Sequence, residues 1–250
     1  MFVAASTNCF PDLTPHEAFS KLVDLEFTNV EIVLSEESEG FRPSEIADDL
    51  NSAIARCLST QRLTVSSYFV SISAEGDEYY RQFDAICKLA KATKVVTLTA
   101  PSSPLGTPFN EEVERYKELV RLANAQGVRV GMLSTTGAVS QDPDTVCVIC
   151  DHVKGLALSL DPSHYIFQRD NPPDIEKLYK YVHQIYLRDT TADQLQVRVG
   201  QGVIDYGRQV NLLNKHHYQR ALCVDVWPEP GVDHMAELRK IRLLLESMLF

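Results

Sequence analysis

Four apolar runs of the chain carry or end in residues that can move a proton or hold a charge. Leu158-Ser-Leu-Asp161-Pro-Ser-His164 closes on a carboxylate and an imidazole three residues apart. Tyr186-Leu-Arg188-Asp189 follows another run with a phenol, a guanidinium and a carboxylate. Glu31 sits between Val30 and Ile32, and Asp225 lies near the end of Ala221–Val226. Carboxylates, imidazoles and phenols act as general acids and bases when their surroundings tune their pKa. Each also has a structural use. Glu31 could pair with Arg188, His164 could pack at a helix start, and Asp161 and Asp225 could bind backbone N–H groups. Four or more ionisable groups on one rim are less easily assigned to capping and favour a site.

The elements that must position these groups alternate. Short runs rich in Val, Ile and Leu predict strands over 2–5, 30–33, 63–67, 95–99, 128–133, 156–160, 184–187 and 221–226. Helical patterns lie between them, over 44–59, 77–92, 110–125, 143–153, 173–182, 206–215 and 232–249. The first helix opens at Thr14, with Thr as N-cap and Pro15 at the first helical position. Eight strands alternating with eight helices imply parallel strands and crossover helices, and at 250 residues they suit a closed (β/α)8 barrel. An open doubly wound sheet is the alternative. Its usual glycine fingerprint is missing after the first strand, where the sequence is Ser6-Thr-Asn-Cys-Phe10. No Gly-, Pro- or Ser-rich linker divides the chain, so one domain over 1–250 is expected.

Side chains alternate along a strand, and in a barrel one set faces the helices and the other the interior. Leu222, Val224 and Val226 form one face of the last strand, and Cys223, Asp225 and Trp227 the other. Ile185 and Leu187 face out, so Gln184, Tyr186 and Arg188 face in. Glu31 falls on the inward face of the second strand. Glu31, Asp161, His164, Tyr186, Arg188 and Asp225 are thereby expected at the C-terminal mouth, where barrels of this type carry their chemistry.

Composition narrows the partners. The chain carries 24 Lys and Arg against 34 Asp and Glu, a net charge of −10, which gives no electrostatic footprint for a phosphate backbone. No run of 18 apolar residues suggests a membrane span, and the first residues lack the basic region of a signal peptide. Six cysteines are scattered as in a cytoplasmic protein with buried thiols. Cys147 and Cys150 form a CxxC in a predicted helix, with no second ligand pair and no thioredoxin-like context.

Taken in order, these pieces resemble the xylose isomerase-like TIM barrels, the sugar-phosphate isomerases and epimerases that include relatives of the family 2 AP endonucleases. The resemblance runs from Leu13-Thr-Pro-His-Glu17 and Leu25-Glu-Phe-Thr-Asn-Val30-Glu31 through Leu160-Asp161-Pro-Ser-His164. It ends on Leu187-Arg-Asp189, Gly200-Gln-Gly202-Val-Ile-Asp205-Tyr206 and Val224-Asp225. Active members hold a divalent metal with two Glu, an Asp and a His from four strands. By position, that set falls here on Asp161, with His164 beside it, on Asp225 in place of the last Glu, on Leu133 and on Tyr186. Leu cannot ligate and neutral Tyr is a poor ligand, so no tightly bound metal and no other cofactor are expected. At the third strand, where the endonuclease relatives carry a His, the chain reads Ser66-Ser67. An inward Arg188 could neutralise the carboxylates that a metal would otherwise balance.

The resemblance implies a sugar, sugar-phosphate or polyol isomerase or epimerase of carbohydrate metabolism, with a degenerate metal site. Proton transfer would take place next to a carbonyl, with Asp161, Asp225 or Glu31 as base and Tyr186 or His164 as acid. Asp161, His164, Tyr186 and Asp225 are the expected catalytic residues, and Glu31 and Arg188 the substrate-binding ones. The alternative is a catalytically inactive barrel that binds a small polyhydroxylated ligand or a protein partner. The expected partner is a small sugar or polyol in the cytoplasm, with neither nucleic acid nor membrane. Association into a homo-oligomer is compatible with this reading.

Overall fold

The computed structural model describes residues 1–249, so the last residue of the expected domain, Phe250, lies outside the described residues. Eight parallel strands close on themselves in chain order: β1 (Phe2–Ser6), β2 (Asn29–Ser35), β3 (Thr64–Ser71), β4 (Thr97–Ala100), β5 (Arg129–Leu133), β6 (Ala157–Leu160), β7 (Val182–Leu187) and β8 (Ala221–Val224). β8 pairs with β1, so the sheet has no edge. The expected (β/α)8 barrel is the observed fold.

The helices are α1 (Pro15–Asp24), α2 (Pro43–Asp48), α3 (Leu50–Leu58), α4 (Gly76–Ala92), α5 (Phe109–Ala125), α6 (Pro143–His152), α7 (Tyr206–Lys215) and α8 (His234–Ser247). Their number matches the expected eight, but their places do not. The single helix expected over 44–59 is two helices. Asp49 interrupts it by turning its carboxylate onto the Ser52 N–H at 3.1 Å and hydroxyl at 2.7 Å, which caps a new helix in the middle of the pattern. The helix expected over 173–182 is a 3-10 turn over Glu176–Tyr181. It follows Pro172 and Pro173, which offer no N–H, and runs directly into β7 at Val182.

The outward faces of the strands and the inner faces of the helices make one apolar layer. Ile32, Leu34, Ile185, Leu187, Leu222 and Val224 meet side chains such as Phe19, Leu22, Ile86, Tyr116, Leu119, Ile241 and Leu245. The barrel interior is by contrast polar at mid-height, with Thr99, Ser159, Ser67, Gln184 and Glu31 all buried. Gly131 makes room there. A Cβ at this position would lie 2.2 Å from Ser159 Oγ. Cys147 is half-buried, Cys150 is buried, and both are free thiols, in keeping with a structural CxxC.

Candidate active site

The site is built in two layers. The deeper one centres on Glu31, fully buried on the inward face of β2. Its Oε2 accepts hydrogen bonds from Ser67 Oγ at 2.8 Å, Gln184 Nε2 at 3.2 Å and Tyr186 Oη at 2.8 Å. Tyr186 Oη also lies 2.8 Å from Thr99 Oγ1, which is 2.8 Å from Ser159 Oγ. Residues from five strands are thus joined into one network. Glu31 Oε1 makes no hydrogen bond to the protein, although it is buried. Burial pushes the Glu31 carboxyl up to about 7, against the hydrogen bonds from Tyr186 and Ser67, which favour its ionised form. Burial and the neighbouring Glu31 drive the Tyr186 phenol far above its ordinary range, so it stays protonated.

The upper layer centres on Arg188, just past the end of β7. Its Nη2 donates to Asp161 Oδ2 at 2.8 Å and to Asp225 Oδ2 at 2.6 Å, and all three side chains are almost wholly enclosed. Burial works against the Arg188 charge, but the two carboxylates outweigh it and hold the guanidinium above its usual range. Asp161 Oδ1 is taken by the Ser163 N–H at 3.0 Å and hydroxyl at 2.5 Å. Asn8 Nδ2 donates to Asp225 Oδ1 at 2.9 Å. Arg188 keeps two unpaired groups, Nε and Nη1. The Trp227 ring covers its guanidinium at 4.4 Å, a cation–π arrangement. Gln196 fixes the Trp227 backbone by accepting its N–H at 2.7 Å and donating to its C=O at 2.8 Å.

His164 stands at the edge of this layer. The Thr136 N–H donates to its Nδ1 at 3.2 Å, so the ring proton of the neutral form sits on Nε2. Nε2 is 3.8 Å from Asp161 Oδ2. Burial lowers the His164 pKa, while Asp161 acts in the opposite sense.

A cavity of about 260 Å3 opens at the C-terminal mouth, and all six residues singled out in the sequence line it. Val33, Phe69, Leu133 and Trp227 give it an apolar wall. Glu31 does not pair with Arg188, as one structural reading of the sequence allowed. It belongs to the deeper layer with Ser67, Gln184 and Tyr186. Sequence reasoning missed Asn8 and Phe69. The signal for Asn8 was available, since it lies two residues past the end of β1, the strand that pairs with both β2 and β8. Phe69 was missed because β3 runs to Ser71, four residues past its expected end.

A divalent ion does not fit these residues. Arg188 Nη2 lies between Asp161 and Asp225, the two carboxylates that would face it. Leu133 and Tyr186 occupy the remaining strand-end positions. No group of three His, Cys, Asp or Glu side chains is gathered in ligating geometry among the described residues.

The sequence pattern of the xylose isomerase-like TIM barrels matches residues 19–246, and the chain belongs to that family. No curated protein matches the sequence. Among solved structures it is similar to a D-tagatose 3-epimerase-like protein, with a TM-score of 0.75 at 14% identity over 100% of this chain and 97% of that one. A 3-keto-D-glucoside 4-epimerase from E. coli gives a TM-score of 0.73 at 12% identity, covering 99% of both chains. A xylose isomerase-like TIM barrel protein from Mycobacterium smegmatis, in complex with magnesium, gives 0.76 at 13% identity over 99% of this chain and 96% of that one. At such identities the shared property is the fold. No helix among the described residues is long and apolar enough to cross a membrane.

Proposed function

We propose that this barrel moves a proton next to the carbonyl of a small sugar or polyol, as an isomerase or epimerase, with Arg188 in place of a divalent ion. The observation that carries this reading is Glu31: a buried carboxyl with one unpaired oxygen, on the wall of the mouth cavity, held near neutrality. A carboxyl in that state can take a proton from carbon and give it back. Asp161 and Asp225 each already have an oxygen bound to Arg188 Nη2, whereas Glu31 Oε1 has no partner. Glu31 therefore takes the role of base rather than of substrate contact alone. Tyr186 donates to Glu31 and orients it. Neutral His164, with its proton on Nε2, is a donor on the cavity wall. The unpaired N–H groups of Arg188 can receive the carbonyl oxygen and stabilise the charge that develops there when the proton leaves, the role of preorganised donors in such reactions. The epimerases among the similar structures support the substrate class.

The test is deuterium uptake from D2O at the carbon next to the carbonyl, in a panel of aldoses and ketoses with a chelator present. Uptake is expected, and Glu31→Gln should reduce it at least ~100-fold, the usual contribution of general base catalysis. Exchange that requires an added divalent ion would overturn the metal-free reading. Binding without exchange would favour the inactive, ligand-binding barrel.

A further inference from the structure

We propose that the mouth accepts an uncharged sugar or polyol and rejects its phosphorylated form; this deepens the sugar reading above and rests on it. In the loop after β7 and at the starts of α1 and α7, backbone N–H groups that could cradle a phosphate are taken by the protein's own carboxylates.

In (β/α)8 barrels a phosphate is often held by backbone N–H groups in the loops after the seventh and eighth strands. Here the glycine-containing loop after β7 wraps around buried Asp189 instead. Asp189 Oδ2 accepts from the N–H groups of Gly200 at 2.8 Å and Gly202 at 3.0 Å. Asp189 Oδ1 accepts from Thr190 at 3.1 Å and Ile204 at 3.4 Å. The fit leaves no slack, since a Cβ at Gly202 would lie 2.1 Å from Asp189 Oδ1. The anion that this ring of donors suits is already supplied by the chain.

Helix N-termini are the other common phosphate cradles. The start of α1 lines a second cavity of about 270 Å3 that shares Asn8 and Val33 with the first. Glu17 Oε2 already takes the Thr14 N–H at 3.0 Å and hydroxyl at 2.7 Å, and Pro15 has no N–H to offer. At the start of α7, Asp205 Oδ1 takes the Arg208 N–H at 2.8 Å.

The charges point the same way. Among the described residues lining the two cavities, Arg188 is the only Arg or Lys. It is matched against Asp161 and Asp225, while exposed Asp12, Glu37 and Glu39 line the second cavity. A dianionic phosphate entering here meets acidic groups and no cation free of a carboxylate partner. An uncharged ligand meets hydroxyl-binding carboxylates and an apolar wall of Phe69, Leu133 and Trp227 for its C–H face.

Trp227 is the only tryptophan of the chain, so its fluorescence reports on the mouth directly. The experiment titrates the whole protein with D-fructose and D-ribulose, and separately with their terminal phosphate esters, at low and high salt. The neutral sugars should quench or shift Trp227 and bind at least about tenfold tighter than the esters. Like-charge juxtaposition at a site works against the wrong partner by this much or more. The gap should narrow at high salt, and in the surface variant Asp12→Asn/Glu37→Gln/Glu39→Gln. Esters that bind as well as the sugars, or better, would overturn the proposal and leave the sugar reading standing. A gap insensitive to both salt and the triple variant would overturn its electrostatic cause. If neither series perturbs Trp227 in the folded protein, the sugar reading falls and the proposal with it.

Discussion

The two layers of the mouth use the same chemical group in opposite ways. Glu31 sits in a network of hydroxyls and an amide, without a cation, and keeps its proton up to about 7. Asp161 and Asp225 share one guanidinium, at 2.8 and 2.6 Å from its Nη2. Burial alone cannot separate them, since Glu31 and Asp161 are both almost fully enclosed and Asp225 nearly so. The neighbours differ: the two aspartates face a fixed cation, whereas Glu31 is supported only by neutral donors and its pKa is lifted by burial, which leaves it able to exchange a proton. A single barrel end thereby holds an electrostatic clamp and a titratable base side by side.

Removing the clamp should have the largest effect. Arg188→Met leaves Asp161 and Asp225 buried and facing each other without a cation. Breaking a buried ion pair on one side costs about 3–5 kcal/mol. For a domain of this size that lowers Tm by roughly 10 °C, measurable by scanning calorimetry. Restoring balance with Asp161→Asn and Asp225→Asn in the same background should recover part of the loss. An unchanged Tm in the single variant would mean that the upper layer is not held together by charge.

The deeper layer should respond to pH rather than to the loss of a cation. In the unfolded chain a Glu gives up its proton near 4.5, whereas in the folded chain Glu31 keeps it to about 7. Its stabilising contribution is full below about 4.5 and is lost as pH rises through 7. The difference amounts to about 3 kcal/mol. Glu31→Gln cannot ionise. Measured by denaturant unfolding against pH, the variant should gain on the parent protein across this window and level off above it. Parallel stability curves for the two proteins would contradict a raised Glu31 pKa.

Much of this arrangement was readable in the sequence, for definite reasons. The alternation of apolar runs fixed the barrel. Period-two reasoning placed Glu31, Tyr186, Arg188 and Asp225 on inward faces, because outward neighbours such as Ile32, Ile185, Leu187 and Val224 are unmistakably apolar. What the pattern could not give was pairing across the barrel. Glu31 and Tyr186 are 155 residues apart in the chain but share a hydrogen bond, and that choice of partner over Arg188 depends on how high each side chain sits in the barrel. The broken second helix had a local signal, Asp49 three residues before Ser52, inside a segment whose overall periodicity still read as one helix. The α-helix expected before β7 had a contrary local signal in the Pro172-Pro173 pair at its start. The role of Asp189 was hidden because its partners are backbone N–H groups, which leave no trace in residue types beyond the two glycines.

The most direct test of the two-layer mouth is a carboxyl titration followed by 13C NMR on protein labelled at Glu side chains, with Glu31→Gln used to identify the Glu31 resonance. An apparent pKa near 7, unmoved by millimolar magnesium, is the expected result. A Glu31 pKa at or below the ordinary 4.5, or one that magnesium drives downward, would contradict a free base beside an arginine clamp and would return the site to metal chemistry.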